Sequence, residues 1–500
     1  MKFKNLKWTV LVMAGVFTTV SCSDDFLSTE FKGQVSEDNY YQNEEQAYSA
    51  LVAVYDIMKK ESGGFENMIA MLNAGSDDHY AGGGNESDGA GIQSFSNYSI
   101  DASKLPRSFW SDYYQGVFRA NVLLEKLPNV SMDEAKKTRF AAEAKALRAY
   151  YYFQLITQFR NIPLITSTLA VDQYYNYPQA PREDVYAQIE ADLLDAIPNL
   201  PPMLDITTEA GRLSKGAGQA ILGKVYLYQN KNAEAAAQFA EVNGTPGGTS
   251  QYGYKLLDNF NDLWIIDNKF NTESILEATH TYQSNAGWGN WGSGSDEGNT
   301  LNVMVGPRGY SSSGAPLYET GWSFNTVTVD LANALMGDPR FDATILDMNE
   351  LVANGQASYV PGYMDTGYFL KKFMPTHADL TPGGGDVVLN YRQNTYTIRL
   401  ADTYLLEAEA LGGTGARAQA LLDAVRDRVG LAPVPVSLEN IWKERRLELA
   451  GEGHRWRDLV RTGRAASVLA SRNFIAGKHE FWPIPIRETE NTQIQQDPNY

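Results

Sequence analysis

The sequence predicts an all-α body of short helix pairs with a loop-rich stretch set into it. Apolar residues recur at helical spacing over about residues 36–250 and 395–465. Short Asn- or Gly-containing turns separate the patterns, and alanines stand where paired helices must approach closely. Residues 251–395 read differently. They are rich in Gly, Asn, Ser, Tyr and Trp and hold few helical stretches.

Ser131-Met-Asp-Glu134 reads as a capping box that opens a long helix. Phe140, Ala144, Leu147 and Tyr151 repeat along it. This helix should stop before Asn161-Ile-Pro163, because a proline disfavours helix in the residue before it. Val185, Ile189, Leu193 and Ile197 mark the next helix, closed by Pro198 and Pro201. Ala217, Ala220, Ile221, Lys224 and Tyr228 mark another. Asn230-Lys231-Asn232 then turns the chain into a partner carrying Ala233, Ala236, Ala237 and Ala240. Leu400, Tyr404, Ala408 and Leu411 pair across Gly412-Gly413-Thr414-Gly415 with Ala418, Leu421, Leu422 and Val425. Each pair has the length of a tetratricopeptide repeat, roughly 34 residues; a plain helical bundle fits the same pattern. Residues 274–282 read as a strand. Residues 283–326 and 73–104 read as long ordered loops, the second holding Gly82-Gly83-Gly84-Asn85 and Asp77-Asp78-His79-Tyr80. Loops on a rigid scaffold are common places for binding sites.

The N-terminus carries an export signal. Lys2, Lys4 and Lys7 precede an apolar run from Trp8 to Val20, then Ser21 and Cys22, the single cysteine of the chain. That layout is a signal peptide of residues 1–21 ending at a lipidated Cys22. Thr19 departs from the aliphatic residue usual at its position. The apolar run is too short to span a bilayer, which takes roughly 20 residues. The mature chain, residues 22–500, is therefore expected to reach the membrane through its lipid anchor only. Removal of residues 1–21 takes three lysines and no acid, so the formal charge of −18 becomes −21. An acidic surface argues against nucleic acid or anionic lipid as the principal ligand. Hydrophobic residues make up 43% of the chain, enough for a folded core rather than disorder.

Gly287-Trp-Gly-Asn-Trp-Gly292 matches the dinucleotide-binding spacing, but Gly-Ser-Gly-Ser follows it where a helix should begin. There is no zinc-protease helix motif, no nucleophile elbow and no P-loop. The five histidines are scattered and support neither a zinc site nor any other cofactor. The Gly-rich segment has a second reading. Trp288 and Trp291, flanked by Asn285 and Asn290, would offer flat apolar faces beside amides. Rings can stack on sugar C–H faces while amides bond hydroxyls. The same rings could instead fold back onto the helical body. Trp322 and Tyr310 are further candidates, and Trp264 is expected in the core.

The dense Glu, Arg, His and Asp run from Glu444 to Arg461 looks catalytic but reads better as ion pairs that fix helix packing. Glu444 is spaced to meet Arg445 or Arg446, and Asp458 to meet Arg455 or Arg461. His454 reads as a packing residue.

Five segments resemble the SusD/RagB family of outer-membrane nutrient-uptake lipoproteins. They are Cys22-Ser-Asp-Asp-Phe-Leu27; Ala146–Phe153 running into Phe159–Leu164; Gly211–Ala217 with Ala220–Tyr228; Lys443–Leu449 with Glu452–Arg461; and Phe481–Ile486 with Gln496–Tyr500. The resemblance implies a SusD-like body of tetratricopeptide-like helix pairs with a loop-rich ligand-binding region. It implies a glycan ligand, or a peptide in some members, and a SusC-like TonB-dependent barrel as partner. It implies no catalysis, and the acids after Cys22 imply an outward-facing location on the cell's outer membrane. A hydrolase on a helical scaffold and a scaffold that binds only the barrel are the competing readings. By analogy with the family, Asp77, Asp78, Tyr80 and Asn85 fall where ligand contacts are often placed. Asp77 and Asp78 could equally approach a calcium ion, though two acids make no ligand set.

Overall fold

The computed structural model describes residues 40–292 and 296–500. Cys22 and the rest of the expected export signal lie outside the described residues. The helices that build the body are α1 (Glu44–Tyr55), α2 (Met68–Ala74), α3 (Ala90–Ser96), α4 (Ser108–Lys126), α5 (Glu134–Gln158), α6 (Arg182–Ala196), α7 (Lys215–Tyr228), α8 (Asn232–Asn243), α9 (Leu400–Ala410), α10 (Gly415–Asp427), α11 (Leu438–Glu448) and α12 (Arg455–Arg461), with further short helices between α8 and α9, among them Val329–Leu335.

The helices from α4 to α10 form one stack in which each packs on the next. Its apolar stripes meet inside: Phe140, Leu147 and Tyr151 of α5, Val185, Ile189 and Leu193 of α6, and Ala217 and Ile221 of α7 are all buried. Close approach needs small residues. A Cβ on Gly223 of α7 would lie 2.7 Å from the Phe239 ring of α8. The expected helix boundaries hold, and one cap is corrected. Asp133, not Ser131, caps α5, its carboxylate accepting from the backbone N–H groups of Ala135 and Lys136 at 3.0 Å each. Asp133 has the extended backbone of an N-cap and stands one residue before the helix, so its short side chain reaches the first turn.

α8 packs directly on α9 although 156 residues separate their facing ends, Asn243 and Leu400. The helical stack thus continues across residues 251–395 as across an insertion. Within that stretch Ser274–Ala278 pairs antiparallel with Thr395–Arg399, with an irregular register running from Ser274 opposite Arg399 to Ala278 opposite Thr395. This hairpin-like clasp returns the chain to the stack. Small two-stranded ladders, such as Ile345–Asp347 with Tyr368–Leu370, fold the remainder.

A buried ionic clamp locks this insertion to the stack. Arg399, 1% exposed, meets Glu448 at 2.6 Å, Glu273 at 2.9 Å and Glu452 at 2.9 Å. Arg340, fully buried, meets Asp338, Glu444 and Glu448 within 2.9 Å. Lys372 meets Glu452 at 2.8 Å. Burial alone would raise the Glu448 pKa, but the guanidiniums of Arg428, Arg399 and Arg340 hold it well below the usual carboxylate value. The Glu444–Arg461 run is therefore structural, as its spacing suggests, but most of its partners are distant in sequence. Glu444 binds Arg340 and Arg426 rather than its neighbours. Asp458 does bind Arg461, at 2.7 Å, and also Arg445 at 3.0 Å. Arg455 turns away to Asp77.

Candidate functional site

The two stretches read as loops each hold a short helix, α3 in 73–104 and Leu301–Val305 in 283–326, and their remaining loop segments meet at one place. Isolated bridges join His79 to Val327 and Gly82 to Phe324. The Gly82-Gly83-Gly84 run makes this contact. Gly82 has φ +71°, and a Cβ there would lie 2.2 Å from the Ser323 carbonyl oxygen. The Gly83 N–H donates to that same oxygen at 2.7 Å. Only glycine allows so close a backbone crossing in that conformation.

Beside the crossing lies an aromatic shelf. The ring centroids of Trp288 and Trp322 are 6.1 Å apart with planes tilted by 33°. Trp291 meets Trp288 edge-on at 5.5 Å and Trp322 at 6.0 Å. Phe65 supports the group from below, 6.5 Å from Trp291, 6.3 Å from Trp322 and 5.1 Å from Phe324. The two sequence alternatives for the Gly-rich loop therefore divide between its tryptophans. Trp291 folds back onto Phe65 and Trp322 and is half-buried, whereas Trp288 is 54% exposed.

The loop that carries Trp288 is fastened by side chains from residues 386–390. Asn390 clamps Ala286, accepting from its N–H at 2.8 Å and donating to its carbonyl oxygen at 2.8 Å. The Asp386 carboxylate accepts from the Trp288 N–H at 3.0 Å. Asn290 accepts from the Gly287 N–H at 2.7 Å and closes the turn, so it shapes the shelf as well as edging it. On the far side Arg308 donates to the Trp322 carbonyl oxygen at 3.0 Å and pairs with Asp88 at 3.4 Å.

A preformed, half-exposed aromatic surface of this kind retains apolar area in water without filling a core. It suits a ligand with flat C–H faces ringed by hydroxyls. Among its described residues, the amides and carboxylates around it are those that hold the loops.

The other proposed contacts fall elsewhere. Asp77 is held by Arg455 at 2.8 Å, and Asp78, 1% exposed, by Arg446 at 2.6 Å. Both carboxylates dock the 73–104 loop onto α11 and α12, so neither is presented to a ligand. The Arg472 guanidinium lies 4.7 Å over the Tyr80 ring and covers it. Asn85 is exposed but spends its oxygen on Ser87 in a local turn. Tyr310 meets Tyr318 edge-on at 5.9 Å and donates to the Pro316 carbonyl oxygen, apart from the three tryptophans. Trp264 packs with Phe373 and Lys372 on the edge of the core. Phe65, Phe324, Asp386 and Asn390 were not marked by any local pattern. They reach the shelf from distant parts of the chain, and only the fold assembles them.

Comparison with known proteins agrees with the architecture. Residues 232–479 match the model of the SusD family, and residues 34–227 match a second model described as starch-binding, associating with outer membrane. A solved laminarin-binding SusD-like protein is 63% identical, with a TM-score of 0.91 over 92% of this chain and 100% of its own. The chain belongs to the SusD family. Surface glycan-binding protein A of Bacteroides thetaiotaomicron, solved in complex with laminarihexaose, is 25% identical with a TM-score of 0.83, again covering 92% of this chain and 100% of that one. SusD-like protein P38 of Formosa agariphila is 24% identical over the full length of both chains. The helical stack with a loop-rich insertion is thus the SusD-like fold of this chain.

Proposed function

We propose that this SusD-family chain is a glycan-binding lipoprotein that captures a laminarin-type glucan on the tryptophan shelf and alters no bond in it. The observation that carries the reading is the shelf itself: Trp288 and Trp322 offer two rings at a 33° tilt, Trp288 more than half exposed, on loops fixed from both sides. Tilted neighbouring rings suit successive sugars of a curving chain better than a flat ribbon. The laminarin-binding relative at 63% identity supports the choice of glucan. We propose further that Cys22 is acylated and holds the body on the outer face of the outer membrane, where it hands oligosaccharides to a SusC-like TonB-dependent barrel. A tether keeps captured ligand at high local concentration near its acceptor, so modest affinity suffices.

Calorimetry of the purified mature chain against laminarin, a starch-type glucan and a basic peptide library tests the ligand class. Heat of binding with laminarin alone is expected. Binding of peptides with none of laminarin would replace this reading by peptide capture. Release of reducing ends from laminarin by the purified protein would make it a hydrolase.

A further inference from the structure

A cleft of about 480 Å³ opens on the other side of Phe65 from the shelf. Its reachable floor is apolar, made by Phe65, Ala90, Pro106 and Ile486 over the buried Met71, Ile92 and Phe109. Its lining also carries the charged side chains of Glu66, Lys104, Arg107 and Arg487. Cations gathered in one place are notable on a chain of net charge −18. The volume is that of a small-molecule site, with the apolar floor and few convergent polar groups such sites have.

Phe65 is the shared wall. One side of it supports Trp291 and Trp322, and the other lines the cleft. The packing is tight there, since a Cβ on Gly89 would lie 2.9 Å from the Phe65 ring and from Ile92. At the far end Arg107 pairs with Glu488 and closes the cleft off from the neighbouring groove of Trp110 and Tyr114. Lys104 leans on Asp101 at 3.1 Å and Glu66 accepts from Ser108. Arg487 is exposed and pairs with no acid among the described residues.

We propose that the cleft is a second set of sugar subsites for the same glucan chain, entered over Phe65 from the tryptophan shelf. The apolar floor receives a sugar face, and the guanidinium of Arg487 and the ammonium of Lys104 donate to hydroxyls. The site then reads chain length: a short oligosaccharide fills the shelf alone, and a longer one gains the cleft. This inference rests on the shelf being the glucan site.

The test is calorimetry with a series of laminari-oligosaccharides from three units upward and with laminarin itself. The proteins are wild type, Ala90→Trp, Arg487→Ala and Trp288→Ala, with far-UV circular dichroism and melting as folding controls. Ala90 is exposed on the cleft wall, so a tryptophan there fills the space without entering the core. Wild type is expected to gain about tenfold in affinity as the chain outgrows the shelf, a factor worth 1.4 kcal/mol. Ala90→Trp should erase that gain and leave the shortest binding chain within about twofold of wild type. Arg487→Ala should lower the gain several-fold. Trp288→Ala should weaken every length. A length dependence that survives both Ala90→Trp and Arg487→Ala overturns the cleft and leaves the shelf standing. A wild-type protein that binds no member of the series overturns both.

Discussion

The ionic clamp and the tryptophan shelf are opposite solutions on the same scaffold. The clamp gathers Arg340, Arg399, Glu273, Glu448 and Glu452 where water does not reach, each 6% exposed or less. The shelf leaves Trp288 more than half in water. Each looks functional from sequence alone, one for its charge and one for its aromatics. The difference is whether the groups are satisfied. Every clamp charge meets an opposite charge within 3 Å, so its chemistry is exhausted by the fold. The shelf's apolar faces remain unfilled, so they are available to a partner. A dense run of ionisable residues on a helix thus argues for packing, and an exposed aromatic held by hydrogen-bonded loops argues for binding.

The largest effect should come from breaking the clamp. Arg399→Ala takes one cation away from three buried carboxylates and leaves them to share Arg340, Arg428 and Lys372, and removing one partner of a buried ion cluster costs about 3–5 kcal/mol. Urea unfolding is the measurement, and any loss of glucan binding should track the loss of folded protein. Full stability in this variant would mean that the insertion is held by something else. Breaking the shelf should do the reverse. Trp288→Ala with Trp291→Ala should weaken laminarihexaose binding by at least about 2 kcal/mol, the scale of a binding hot spot. The cost in stability should be small for Trp288, which is exposed, and moderate for Trp291, which packs on Phe65. Unchanged affinity by calorimetry would remove the shelf from the site.

The third contrast is with pH. Burial would raise the carboxyls of Glu448 and Glu452, but Arg428, Arg399 and Arg340 around the first, and Arg399 and Lys372 around the second, hold both below their ordinary 4.5. A group depressed in the folded state contributes stability above its unfolded pKa and loses it as the pH falls through the folded one. The clamp's contribution should therefore be full above about pH 5 and fade below about 4.5, beneath an earlier and gentler decline that begins near pH 6.5, because burial holds His79 and His280 down to about 4 and the unfolded chain takes up those protons first. The shelf rings carry no titrating group, so glucan affinity should stay level over the same range while the protein is folded. An affinity that changes between pH 5 and 7 would point to an ionisable contact in the site.

The fold was legible because helices announce themselves locally. The apolar spacing in α5, α6 and α7 and the turn at Asn230-Lys231-Asn232 can be read within a few residues of chain. The Trp288 loop was legible for a related reason: glycine, asparagine and tryptophan together exclude both helix and ordinary core. Asp77 and Asp78 misled, because their partners Arg455 and Arg446 lie some 370 residues away and nothing local distinguishes a docking acid from a ligand-binding one. Phe65 and Asp386 were invisible in the same way. Gly82 was seen as a loop residue, but its reason, the backbone of Ser323 pressed against it, belongs to tertiary structure.

A crystal structure of residues 22–500 with laminarihexaose is the most direct test. Sugar rings should lie on the faces of Trp288 and Trp322, with the 286–292 loop still tied to Asp386 and Asn390. An oligosaccharide bound elsewhere, with Trp288 untouched, would contradict it.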